Sequence, residues 1–302
     1  MNKLVERIEY LKKKKNAIVL AHSYQNIEID TIADFVGDSL YLSQKAKETE
    51  AEIIVFAGVY FMAQTAKIIS PDKKVLLPNL NAGCLMADMI NSKQMADFKS
   101  KNPDIPVVCY INSTAEVKAQ CDICCTSSNA IEIVKSLNSP KVLFVPDANL
   151  GKYVESQLKG VEVITYAGNC PVHDNITVDD IALARKKYPN AKILIHPECQ
   201  PKVSSLGDYI GSTSGIIDYV KKSNDSQFVI VTEKGVADRL KRDYPDKEFI
   251  LISYNMLCKS MKLTTLDEIL YSLENEVNEI TLNESIRQLS AGCIERMLKV
   301  SK

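Results

Sequence analysis

Apolar runs of about four to six residues recur along the chain, separated by longer amphipathic stretches. They fall at 17–21, 52–57, 74–77, 106–109, 141–145, 161–165, 192–195, 228–231 and 248–252. Runs of that length with helix-period spacers mark parallel strands covered by helices on both faces. Taken three at a time, the runs repeat. The first run of each set ends beside His22, Tyr110 or His196, at separations of 88 and 86 residues. A small-hydroxyl turn follows in each set: Gly37-Asp38-Ser39, Thr126-Ser127-Ser128, and Gly211-Ser212-Thr213-Ser214-Gly215. The third run of each set precedes a cysteine, and Cys84, Cys170 and Cys258 lie 86 and 88 residues apart. From Ser39, Ser127 and Thr213 to the next of these cysteines is 45, 43 and 45 residues.

The expected fold is α/β: three pseudo-equivalent, doubly wound three-layer (αβα) domains with parallel sheets, at 17–103, 104–190 and 191–280. A helix at 1–16 and another at 281–302 are expected to pack on the third domain. Ligands in doubly wound units bind beyond the carboxyl ends of the strands, where the strand-end residues, hydroxyl turns and cysteines all fall. Helix N-termini there offer unpaired N–H groups and a positive dipole end, so three facing mouths would enclose an anion-binding chamber.

One cysteine per unit predicts a shared metal or cluster with a fourth position open. Zinc in a structural site takes a fourth protein ligand, and the chain has only three histidines, His22, His173 and His196. A 4Fe-4S cube suits three thiolates better and leaves one iron free as a Lewis acid.

At 302 residues and 46% hydrophobic, the chain is long enough for a large core in two or three domains. A net charge of −1 argues against nucleic-acid binding and leaves the basic run Lys12 to Lys15 as a solvated helix end. No apolar run approaches the roughly 20 residues of a membrane span, and the Lys-rich start lacks a signal-peptide core, so a cytoplasmic location is expected. Nine cysteines in such a chain point to metal, redox or catalytic use rather than disulfides. Cys109, Cys199 and Cys293 read as buried small hydrophobes. Cys121-x-x-Cys124 has the spacing of a redox pair or half a zinc site, and its role stays open. There is neither a Walker motif nor a GxGxxG.

The chain resembles the quinolinate synthase family from about residue 17 to 269. The resemblance is carried by His22-Ser23-Tyr24-Gln25, Gly37-Asp38-Ser39, Asn79-Leu80-Asn81-Ala82-Gly83-Cys84, Tyr110-Ile111-Asn112 and Ala115-Glu116-Val117-Lys118-Ala119. It continues through Thr126-Ser127-Ser128-Asn129-Ala130, Gly168-Asn169-Cys170-Pro171-Val172-His173, His196-Pro197-Glu198-Cys199, Gly211-Ser212-Thr213-Ser214-Gly215, Thr232-Glu233-Lys234-Gly235 and Cys258-Lys259-Ser260-Met261. The resemblance implies an enzyme of NAD biosynthesis that condenses iminoaspartate with dihydroxyacetone phosphate to quinolinate. It further implies a 4Fe-4S cluster on Cys84, Cys170 and Cys258, whose open iron assists dehydration. His22, Ser39, Tyr110, Asn112, Ser127, His196 and Thr213 would surround iminoaspartate, with Glu198 as general acid or base and Tyr24 working beside His22. The expected partners are these two small molecules and, transiently, the enzyme that makes iminoaspartate.

Plainer readings stand beside these. The histidines could be satisfied strand-end residues, the hydroxyls simple N-caps, and the tyrosines core aromatics. Another three-cysteine hydro-lyase, or a non-catalytic iron-sulfur oxygen sensor, would share the cysteine pattern. Where many relatives have Pro-Asn, this chain reads Lys259-Ser260 after Cys258, and Cys293 stands alone near the C-terminus.

Overall fold

The computed structural model describes residues 3–301 and contains three four-stranded parallel sheets. The first comprises β1 (Ala17–His22), β2 (Phe35–Gly37), β3 (Ile53–Ala57) and β4 (Lys74–Leu76). The second comprises β5 (Val107–Tyr110), β6 (Ile123–Cys125), β7 (Lys141–Val145) and β8 (Glu162–Thr165). The third comprises β9 (Lys192–Ile195), β10 (Tyr209–Ile210), β11 (Gln227–Val231) and β12 (Glu248–Leu251). Their orders are β2-β1-β3-β4, β6-β5-β7-β8 and β10-β9-β11-β12, one topology used three times. The strand order reverses beside the first strand of each sheet, so each domain has a switch-point crevice at its carboxyl edge.

Each sheet therefore holds a fourth strand that the apolar runs did not reveal. The extra strands β2, β6 and β10 have only two or three residues and lie at sheet edges, too short for a hydrophobic run to mark them. An aspartate sets each one in register. The side chains of Asp34, Asp122 and Asp208 accept from the backbone N–H of Val19, Val107 and Ile193, each at 2.7 Å. These aspartates are 88 and 86 residues apart, a repeat signature as regular as the cysteines.

The terminal segments depart from expectation. The N-terminal helix Lys3–Lys14 buries Ile8 and Leu11 against the outer face of the first sheet, alongside Ile269 and Leu273 of helix Leu266–Asn275. After the third sheet the chain thus returns to the first domain, where the backbone of Asn278 and Ile280 bonds to Leu77 and Val75 along the β4 edge. The C-terminal helix Glu284–Val300 packs on β6 and on helices Tyr60–Ile69 and Ala115–Lys118. Neither terminal helix lies on the third domain, because the apolar faces they must cover belong to the first two.

The core follows the same division. One continuous apolar cluster joins the first and second domains and takes in Cys293, Ile294, Met297 and Leu298 of the C-terminal helix. The third domain has its own clusters on the two faces of its sheet. It meets the first domain largely through polar contacts. The buried Arg239 donates to the carbonyls of Ser23 and Gln25, and Asp30 accepts from both Arg239 and Arg242. Cys109 and Cys199 are buried core residues. The thiols of Cys121 and Cys124 both interact with Cys109; Cys121 also donates to the Val117 carbonyl at 3.1 Å, and Cys124 lies 3.2 Å from Cys293. No described helix is long and apolar enough to cross a membrane.

Candidate active site

The carboxyl edges of the three sheets enclose a chamber of about 350 Å³. His22, Tyr24, Ser39, Tyr110, Asn112, Ser127, His196, Glu198 and Thr213 all line it, as do Cys84, Cys170 and Cys258.

The strand-end histidines share one local geometry. Nδ1 of His22 accepts from the Tyr24 backbone N–H at 3.1 Å, and Nδ1 of His196 accepts from the Glu198 N–H at 3.3 Å. With Nδ1 occupied as acceptor, a neutral ring carries its proton on Nε2. Burial keeps both rings neutral, lowering His22 to about 4 and His196 to about 3. Each is therefore a fixed N–H donor at neutral pH.

Ser39, Ser127 and Thr213 are not the helix caps. Asp38 caps helix Ser39–Glu48 through the Tyr41 N–H, and Ser212 caps helix Thr213–Lys222 through the Gly215 N–H. Ser39 and Thr213 sit one residue inside those caps, and Ser127 lies ahead of helix Ala130–Ser136, whose N-cap residue is Asn129. The Oδ1 of Asn112 is buried without a hydrogen-bond partner, a cost that a donor entering the chamber would relieve.

Glu198 occupies the second position after the third strand-end residue and is almost fully buried. Tyr110 donates to its Oε1 at 2.5 Å, and His173 Nδ1 lies 2.8 Å from its Oε2. Burial opposes the charge of Glu198, while His196, His173 and the hydrogen bonds from His173 and Tyr110 favour it, holding the carboxyl below its ordinary range. The backbone carbonyl of Glu198 accepts from Asn149 at 3.0 Å, fixing the turn from behind.

Two residues outside the predicted set complete a hydrogen-bonded chain. His173 Nε2 lies 3.0 Å from the Thr232 hydroxyl, which lies 3.0 Å from the Tyr24 hydroxyl, which accepts from Thr213 at 3.1 Å. With Nδ1–H directed at Glu198, donors align from Thr213 through Tyr24, Thr232 and His173 to the carboxylate. His173 had a sequence signal, since it follows Cys170 by three within Gly168-Asn169-Cys170-Pro171-Val172-His173. Thr232, one residue past β11, opens the motif Thr232-Glu233-Lys234-Gly235, but the sequence assigned it no role and only the fold brings it under Tyr24.

The three cysteines lie in loops beyond the fourth strands, further from them than the apolar runs implied. Each thiol faces backbone N–H groups of the turn that follows it: Ala87 and Met86 at Cys84, His173 at Cys170, Met261 and Ser260 at Cys258. Burial nonetheless pushes all three thiols up, Cys84 to about 12, so without a cation they are protonated. Among the described residues, the only set of three metal-ligand side chains close enough for one ion is Cys170, His173 and Glu198. The thiols of Cys84, Cys170 and Cys258 line the same chamber but do not come close enough to one another to share a single ion.

The chain matches the family described as quinolinate synthetase A protein over residues 6–299. It is 50% identical over 297 residues to the quinolinate synthase of Alkaliphilus metalliredigens, covering 98% of each chain. It is 49% identical over 294 residues to that of Dehalococcoides mccartyi, covering 97% of each, and 48% identical over 301 residues to that of Pelobacter propionicus, covering 100% of this chain and 99% of the relative. On a match spanning nearly its whole length, the chain belongs to the quinolinate synthase family.

Proposed function

We propose that the protein condenses iminoaspartate with dihydroxyacetone phosphate to give quinolinate, phosphate and water, the ring-forming step of NAD biosynthesis. The observation that carries this reading is the chamber itself, where three thiols from pseudo-equivalent loops face neutral imidazole donors and hydroxyls free of capping duty. In this reading Cys84, Cys170 and Cys258 hold a 4Fe-4S cluster. When bound, the cluster supplies one open iron as a Lewis acid for the hydroxyl lost in dehydration.

The remaining work falls to side chains. The Nε2–H groups of His22 and His196 and the hydroxyls of Ser39 and Ser127 hold the two carboxylates of iminoaspartate, and Thr213 joins them when its hydroxyl turns from Tyr24 to the substrate. Asn112 Oδ1 accepts from the substrate nitrogen and orients it toward the carbon with which it closes the ring. Glu198, ionised in the free enzyme, takes a proton from carbon or nitrogen, and Tyr110 and His173 settle the charge as it moves. The chain Thr213–Tyr24–Thr232–His173 ends on Glu198 and carries protons to and from it during keto–aldehyde interconversion. Enclosure also protects iminoaspartate, which water hydrolyses. A short-lived substrate of this kind favours transient contact with the enzyme that makes it.

The test is anaerobic purification with iron and sulfide analysis, then an assay of quinolinate formation from the two substrates. The proposal expects turnover by the wild type, and loss of both cluster and turnover in Cys84→Ser, Cys170→Ser and Cys258→Ser. A full, active cluster in any one of these variants would refute the ligand assignment. A cluster-loaded wild type that forms no quinolinate would favour a different hydro-lyase or a sensor.

A further inference from the structure

Cys170 Sγ, His173 Nδ1 and a carboxylate oxygen of Glu198 lie within 4.8 Å of one another, and all three side chains belong to the chamber wall. His173 Nδ1 is central, 3.2 Å from the Cys170 sulfur and 2.8 Å from Glu198 Oε2. Around a tetrahedral ion with metal–sulfur bonds of about 2.3 Å and metal–nitrogen or metal–oxygen bonds of about 2.0 Å, such donors sit roughly 3.2 to 3.6 Å apart. The two pairs that include His173 need to spread by only a few tenths of an ångström, and the Cys170 sulfur and Glu198 oxygen, within 4.8 Å of each other, have to settle into the same range. Two of its members are already oriented from behind. Thr232 holds the far nitrogen of His173 at 3.0 Å, and Tyr110 holds the other oxygen of Glu198 at 2.5 Å. Outer partners of this kind fix the ring and carboxylate orientation that metal ligands require. A thiolate and a carboxylate also carry together the charge that a divalent cation neutralises.

We propose that the cluster-free chain has a second metal-binding mode, in which one divalent cation of the zinc class is held by Cys170, His173 and Glu198 with water in the fourth position. Binding releases the Cys170 thiol proton to solvent. His173 remains neutral but changes tautomer: its proton leaves Nδ1, which takes the metal, and Nε2 carries the proton donated to Thr232, whose hydroxyl turns to donate to Tyr24. Cys84 and Cys258 take no part. If Cys170 is also a cluster ligand, as the proposed function holds, the two modes exclude each other and zinc blocks cluster assembly.

The test uses the full chain, freed of iron under anaerobic conditions and titrated with Co²⁺, with Zn²⁺ then added as competitor. The expected result is one equivalent of Co²⁺ bound with a thiolate-to-cobalt charge-transfer band and tetrahedral visible absorption, both displaced by Zn²⁺. The bands should persist in Cys84→Ser and Cys258→Ser, which lose the cluster if the proposed function is right. The charge-transfer band should vanish in Cys170→Ser, and binding should weaken about 10- to 100-fold in Thr232→Val, which keeps all three ligands. Circular dichroism and melting temperature without metal confirm that each variant is folded. A band that survives Cys170→Ser, or that disappears in Cys84→Ser, Cys258→Ser or the remote Cys124→Ser, would overturn the site. Iron incorporation unaffected by prior saturation with Zn²⁺ would overturn the exclusion while leaving the ion site standing.

Discussion

The Tyr110 hydroxyl donates to Glu198 Oε1 at 2.5 Å, joining the strand end of the second domain to that of the third inside the chamber. His173 occupies the other carboxylate oxygen, so Glu198 enters the reaction ionised and held in place. Replacing it by glutamine removes the proton acceptor and keeps the volume. Glu198→Gln should lower kcat by about 10²- to 10⁴-fold, the range for loss of a general acid or base. Tyr110→Phe should cost less, because His173 remains and only one buried acceptor loses its donor, worth about 1–3 kcal/mol. Steady-state assays at matched iron content check both. Near-normal turnover by Glu198→Gln with an intact cluster would remove the residue from the chemistry.

The histidines make stability depend on acid. His22 falls from an ordinary value of 6.5 to about 4 because burial disfavours its charge. An unfolded chain therefore binds a proton between those values that the folded one refuses. Stability contributed by His22 is complete above about pH 6.5 and is lost as pH falls toward 4, amounting to something on the order of 3 kcal/mol. His196 acts in the same sense. The buried Asp147, pushed up by burial and by Glu198, acts in the opposite sense, losing stability as pH rises. Melting curves of cluster-free protein between pH 7 and 4.5 should fall steeply for the wild type and less steeply for His22→Asn, which cannot titrate. Identical slopes would mean that His22 is charged in the folded state.

The relay offers a separate measurement. Thr232 lies within hydrogen-bond reach of both the Tyr24 hydroxyl and His173 Nε2 and is fully buried. Thr232→Val keeps the shape and removes the hydroxyl that links the two. The expected outcome is a fall in kcat of about tenfold or more, with a changed pH profile, since the tyrosine can no longer exchange protons with the imidazole. Thr232→Ser should restore both. A variant altered in stability but normal in pH profile would leave Thr232 a packing residue.

Much of this site was legible in the sequence because its residues stand at fixed offsets from strands. His22, Tyr110 and His196 end first strands, and the hydroxyl turns and cysteines follow at near-equal intervals, so the repeat marks them without contact information. Thr232 and the bond from Tyr110 to Glu198 join residues of different sheets, or strand ends remote in sequence, and only tertiary structure brings them together. The edge strands β2, β6 and β10 were hidden because two or three residues make no apolar run, although Asp34, Asp122 and Asp208 announce them at the same interval. No residue pattern in the sequence tells which domain the terminal helices cover, and the expectation that they lie on the third is not met. Their burial is decided by the apolar faces left open, and those lie on the first two domains.

Those two domains share one apolar core, whereas the third has clusters of its own and meets the first through the polar contacts of Arg239, Arg242 and Asp30, so the third is the domain expected to move. At the chamber wall, Asp38 Oδ2 of the first domain accepts from Ser128 of the second at 2.7 Å and from Ser214 of the third at 2.6 Å. One carboxylate thus latches all three domains beside the hydroxyls of Ser39, Ser127 and Thr213. Polar interfaces of this kind open far more readily than apolar ones. Ser214→Ala removes one donor from the latch while leaving the cap by Ser212 on Gly215 in place. It should raise KM several-fold, change kcat little, and speed amide exchange in the loops that join the third domain to the first. Ile294→Ala makes the contrasting case, cutting a fully buried side chain out of the core shared by the first two domains. It should cost about 2–5 kcal/mol of stability with KM unchanged. Hydrogen exchange read by mass spectrometry, together with steady-state kinetics on both variants, separates the latch from the core. Equal exchange rates in Ser214→Ala and wild type would show that closure of the third domain does not depend on Asp38.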